Sequence, residues 1–168
     1  MDFLYVNKIS VLHAISRKVN HRWVSFTNSR SKTAILASYK ELKQIYQSRG
    51  FHIVGVHADN EFEKVRNELL LARLSTAAPG EHVPELERSI RTVKEGTRSG
   101  IHGLPFNCLP RCIIPAIIRA VTLYLNAFLS KNGISQSLTP HNIIDALPHL
   151  DYNMLTLDFG TYVQLAVD

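Results

Sequence analysis

The chain has little sulfur, few aromatic residues and no long apolar run. Two cysteines, Cys108 and Cys112, among 168 residues provide no disulfide framework and make a reducing compartment the default. A structural zinc needs four ligands, and two thiols one helical turn apart read instead as small packed hydrophobes. The apolar stretch Ile113 to Ala120 is interrupted by Pro115 and Arg119, and no segment reaches the roughly 20 apolar residues that span a bilayer. Met1-Asp2-Phe3 lacks the basic start of a secretory signal. Neither an internal repeat nor a low-complexity segment is visible. What remains is a globular chain, 45% hydrophobic and 20% charged, long enough to bury a core.

The net charge of +5 is unevenly placed. Residues 1–58 carry nine Lys and Arg against two acids, residues 59–100 seven against eight, and residues 101–168 three against four. A cationic front beside a carboxylate cluster suits a polyanion that must approach a negatively charged site.

The apolar pattern predicts a mixed α/β fold. Phe3 to Val6, Ile9 to Ile15 and Arg22 to Thr27 read as three strands of a meander, with Asn7-Lys8 as a hairpin turn. Asn28 or Ser31 can cap a helix carrying Ile35, Leu36, Tyr39, Leu42, Ile45 and Tyr46 on one stripe, and Gly50 can end it. A strand over Phe51 to Val56 then delivers Asp59 at its end, reached by a crossover most simply parallel to the strand it joins. Helices are expected over Glu61 to Leu74, His82 to Thr97 and Ile113 to Phe128, with Gly100, Gly103, Pro105 and Pro110 as a linker. Thr161 to Ala166 reads as a short extended run.

Three carboxylates stand out. Asp2 heads the first strand, Asp59 follows Ile53-Val54-Gly55-Val56-His57-Ala58, and Glu87 lies on the helix Glu85 to Lys94. Carboxylates from two strands and a helix can hold two divalent cations against a phosphodiester. Glu85 competes with Glu87 for the third place. Arg88, Arg91, Lys94 and Arg98 form a basic strip on the same helix, suited to DNA phosphates or to solvent. Trp23 and Tyr39 read as packing residues, and Glu61 and Glu63 as solvated residues at a helix start.

These pieces resemble the integrase catalytic core of a copia-type LTR retrotransposon polyprotein, a retroviral-type integrase. Asp2 with Phe3-Leu4-Tyr5-Val6-Asn7 resembles the first-strand aspartate, His57 to Phe62 the second, and Glu87 to Lys94 the glutamate helix. Leu104-Pro105, Arg119-Ala120 with Tyr124-Leu125-Asn126, Leu138-Thr139-Pro140 and Phe159 to Val163 resemble the family's downstream blocks in order. The resemblance implies a ribonuclease H-like fold, a mixed five-stranded sheet flanked by helices. It further implies a catalytic core over 1–100 and a mostly helical C-terminal extension over 101–168. Two Mg²⁺ or Mn²⁺ ions on Asp2, Asp59 and Glu87 would serve DNA 3′-end processing and strand transfer, with Lys94 as a DNA contact. DNA would be the partner, a homo-oligomer the state in a full-length integrase, and the nucleus or a cytoplasmic particle the location. The interval from Asp59 to Glu87 is short for the family, and Met1 directly precedes Asp2, so a fragment of a polyprotein reading frame is expected. An inactive remnant, or a domesticated nucleic-acid-binding module of the same fold, is the alternative. The copia-like tail disfavours a nuclease for RNA–DNA hybrids.

Overall fold

The structure is a computed structural model and describes residues 1–69, 72–76, 83–104, 109–131 and 133–151. Strands β1 (Asp2–Val6), β2 (Ile9–Ile15) and β3 (Arg22–Phe26) form an antiparallel sheet in that order. Asn7 and Lys8 both have positive φ, 46° and 66°, the backbone of a tight hairpin turn whose twist matches that of its flanking strands. Pairing Val6 with Ile9 fixes the register, which sets Asp2 opposite His13.

Alternation along these strands sorts their side chains onto two faces. Phe3, Leu12, Ala14 and Trp23 enter one core with helix α1 (Lys32–Gln47), while Leu4 and Val11 enter the other with Val93, Ile114 and Ile118. The latter three belong to helices α2 (Pro84–His102) and α3 (Ile113–Ala127). The sheet is thus covered on both faces. Burying a side chain such as Ile118 or Leu4 contributes roughly 1.5–3 kcal/mol, enough to hold helices whose own propensity is modest. Helix α1 begins where Ser31 accepts a hydrogen bond from the Ala34 amide at 3.2 Å, and Gly50 at φ +77° turns the chain away after it.

Several elements differ from expectation. Strand β4 covers Gly55–Ala58, not Phe51 to Val56. Phe51 and Ile53 pack against the α1-side core, but Val54 is 74% exposed, and the ladder starts only where a partner strand begins. The segment read as a helix from Glu61 to Leu74 is a 3₁₀ helix over Asn60–Glu68, followed by strand β5 (Arg73–Thr76). β5 pairs with β4 in parallel, Val56 opposite Leu74. In place of one five-stranded sheet, the described residues form a sheet of three strands and a sheet of two. The bond from the Met1 amine to the His57 carbonyl brings β1 alongside β4.

Helix α2 runs to His102, past Thr97 and through Gly100. The expected linker glycine is instead a contact point. A Cβ on Gly100 would stand 3.1 Å from Ile117, and one on Gly96 would stand 2.7 Å from Val121, so the missing side chains let α2 and α3 approach closely. Helix α3, beyond the expected boundary at residue 100, packs into the same core as Leu4 and Val11. Cys112 is exposed instead of packed; Cys108, Pro105 and the run Thr161 to Ala166 lie outside the described residues. Trp23 and Tyr39 are buried as expected. Among the described residues no helix is long and apolar enough to cross a membrane.

Candidate metal centre and nucleic-acid interface

Asp2 shares a parity with Leu4 on β1, which places it on the α2 side of the sheet beside His13. His13 is fully buried. Its Nδ1 lies 3.0 Å from the Trp23 carbonyl oxygen, which can only accept, so Nδ1 carries the proton. Nε2 is then the acceptor for the Ser89 hydroxyl on α2 at 2.8 Å. The pair ties α2 to the strand that neighbours Asp2. Burial pushes the His13 imidazole down to about 3, helped by the charges of the N-terminus and Arg22 and opposed by the Trp23 hydrogen bond.

The Asp2 carboxylate accepts the Phe3 amide at 2.6 Å. Burial lifts its pKa above the ordinary carboxylate value, and the negative charge of Asp59 lifts it further. The Phe3 hydrogen bond, the N-terminal charge and Arg30 work the other way. Asp59 terminates β4 and caps the 3₁₀ helix, its Oδ1 accepting the Asn60 amide at 2.7 Å. Two carboxylates from different strands therefore feel each other.

Glu87 sits exposed in the first turn of α2, where a negative charge complements the helix dipole. Among the described residues no group of three or more His, Cys, Asp or Glu is gathered to hold a metal ion. The charge of Asp59 reaches Asp2, and the Met1 amine bonded to the His57 carbonyl sets the β1 start beside the segment that carries Asp59; Glu87 joins them in no group of three. Glu85, its rival, turns toward the other flank, where its carboxylate meets Arg17 at 3.3 Å.

At about 100° per residue, Arg91, Lys94 and Arg98 project within roughly 40° of Glu87, whereas Arg88 points about 100° away. Arg88 instead lines a cavity with Arg17, Arg22 and Lys131. The strip is thus divided between two flanks of α2. Glu61 and Glu63 are not simply solvated: Glu61 pairs with Arg30 at 2.9 Å and Lys64 at 3.6 Å, and Glu63 accepts from Arg66 and from Thr76.

Sequence reasoning passed over Arg30. Its guanidinium lies 5.2 Å from the Phe3 ring centroid and 4.9 Å from that of Tyr5, and its charge reaches Asp2. The clue available was the aromatic parity of Phe3 and Tyr5 on the face opposite Asp2.

The architecture has solved counterparts. The catalytic core domain of BIV integrase matches with a TM-score of 0.60 at 19% identity, covering 87% of this chain and 91% of that one. The fold is that of a retroviral integrase catalytic core. The HTLV-2 integrase catalytic core domain, solved in complex with magnesium in a trimeric form, matches with a TM-score of 0.59 at 14% identity, covering 84% of this chain and 90% of that one. No family model and no curated protein sequence matches the chain.

Proposed function

We propose that the chain is the catalytic core of a copia-type retrotransposon integrase, a polynucleotidyl transferase that processes DNA 3′ ends and joins them to target DNA. The observation that supports this most is the bond between the Met1 amine and the His57 carbonyl, which sets Asp2 and Asp59 at neighbouring strand ends of an integrase-core fold. Crowded anionic oxygens suit a hard divalent cation, Mg²⁺ or Mn²⁺, which offsets the repulsion that helps lift Asp2. Asp2 and Asp59 would hold two such ions, with Glu87 as the third donor. Bound there, the ions supply a Lewis acid for the attacking oxygen and charge neutralisation for the leaving one.

The remaining work falls to the chain itself. The Phe3 and Asn60 amides orient the two aspartates. Arg91, Lys94 and Arg98, aligned with Glu87 on α2, contact DNA phosphates on either side of the scissile bond. The HTLV-2 core was solved in a trimeric form, and self-association is proposed for this chain as well.

A nucleic-acid-binding module without catalysis is the second reading, favoured by the absence of any group of three ligands that includes Glu87 among the described residues. Calorimetric titration with Mg²⁺ and Mn²⁺, together with a strand-transfer assay on a DNA-end substrate, separates the two. The integrase reading expects divalent-ion binding and strand transfer, both lost in Asp59→Asn while the fold is retained. DNA binding that is indifferent to divalent ions, with no nicking or joining, sinks it in favour of the second reading.

A further inference from the structure

The cavity on the other flank of α2 is built unlike the carboxylate side. It measures about 280 Å³ and lies between the β2–β3 turn, the first half of α2 and the segment following α3. Arg17, Arg22, Arg88 and Lys131 line it, and Glu85 is the one acid among the lining residues, engaged by Arg17 at 3.3 Å. Among the described residues no carboxylate pairs with Arg22, Arg88 or Lys131, so the cavity carries an excess of positive charge.

Arg22 is the most informative of the four. Its backbone is clamped by Asn126 of α3, which accepts the Arg22 amide at 2.8 Å and donates to the Arg22 carbonyl at 2.7 Å. The guanidinium is held in turn, Nη1 donating to the Leu125 carbonyl at 3.5 Å. Yet its Nε is buried with no acceptor among the described residues. A buried charged donor without a partner is costly, and burial pushes this guanidinium below its ordinary pKa. The Nε atom has almost no surface of its own, so an anion in the cavity would compensate the guanidinium through its charge and not through a bond to Nε.

We infer that this cavity is a phosphate site that takes one phosphodiester of a nucleic-acid backbone, on the flank of α2 away from Glu87. Guanidinium forks match phosphate oxygens in geometry and charge. The lining has no aromatic face on which a base could stack, so the backbone is what it recognises. The inference rests on the proposed nucleic-acid function only for what carries the phosphate, since the site stands on its own residues and uses none of the carboxylates.

The test uses the full chain in two measurements. Inorganic phosphate and pyrophosphate are titrated calorimetrically, and duplex DNA binding is followed by fluorescence anisotropy across a salt series. Arg88→Gln with Lys131→Gln, both exposed positions, should weaken phosphate binding at least tenfold and lower the salt slope for DNA by about one unit. No phosphate binding by the unmodified chain overturns the site. Lost phosphate binding with an unchanged DNA slope overturns the nucleic-acid carrier and leaves a free-anion site. A reduced slope in a chain that never cuts or joins DNA upholds this inference while refuting the integrase reading.

Discussion

The buried imidazole of His13 should make the protein acid-labile well above the range in which carboxylates titrate. Unfolded, a histidine binds its proton near pH 6.5; in the fold this one does so only at about pH 3. The unfolded chain therefore binds the extra proton anywhere between these values, and acid favours it. The contribution is intact above about pH 6.5 and is lost progressively as pH falls toward 3. Integrating the linkage relation gives a loss of about 2 kcal/mol between pH 7 and pH 5, with a ceiling of about 5 kcal/mol at the acid end. Even the first figure is a large share of a typical stability of about 5–15 kcal/mol.

Urea unfolding at pH 7 and at pH 5, followed by Trp23 fluorescence, reads the effect. With a slope of roughly 2 kcal/mol per molar urea, the midpoint should fall by about 1 M. His13→Gln keeps a polar partner for Ser89 but cannot titrate, so its midpoint, lower at pH 7, should move much less with pH. The other histidines contribute equally to both proteins and cancel in the comparison. If wild type and variant shift by the same amount, His13 is not the acid-sensitive group and the reasoning fails.

Lys94→Ala should weaken DNA binding to a similar degree across sequences and reduce the salt slope by about one unit; an unchanged slope would return this side of α2 to solvent. Gly96→Ala places a Cβ 2.7 Å from Val121, so despite better helix propensity it should destabilise by about 1–3 kcal/mol, and adding Val121→Ala should recover part of the loss in urea melts. Asp145 accepts from His21 Nε2 at 3.3 Å and His141 Nδ1 at 3.0 Å. Burial alone would raise its carboxyl, but these two partners outweigh burial and hold it below the ordinary value. Its contribution is thus present above about pH 4 and fades as pH falls through the lowered pKa. Asp145→Ala should cost about 1–3 kcal/mol at pH 7, and an unaltered urea midpoint there would show that the two imidazoles do not depend on it.

What could be read from the sequence was set by short-range pattern. The β1–β2–β3 meander was legible because apolar residues recur with a period of two around Asn7-Lys8, and α1 because Ser31 and Gly50 bracket a stripe of one face. Strand β5 was not, since Leu74 is the one buried residue in Arg73–Thr76, and four residues with a single apolar contact carry no period. Reading Gly100 as a linker failed for a related reason: a glycine's role depends on what approaches it, and Ile117 lies on another helix. At the site, Asp59 was marked by the strand before it. Arg22 was invisible as a site residue because its clamp, Asn126, is 104 positions away. The cationic cavity exists only after β3, α2 and α3 have met.

The cap formed by Asp59 and the metal ligation proposed for the same residue make two separate demands. An N-terminal cap needs a short side chain with an acceptor oxygen, and asparagine meets that need as well as aspartate does. The chemistry proposed here needs the negative charge. A change from Asp to Asn at this position would silence the proposed centre while the 3₁₀ helix, the β4 terminus and the core beneath them persist. Under the integrase reading proposed above, activity can therefore be lost at this residue with little loss of stability, and the chain that results would remain well folded.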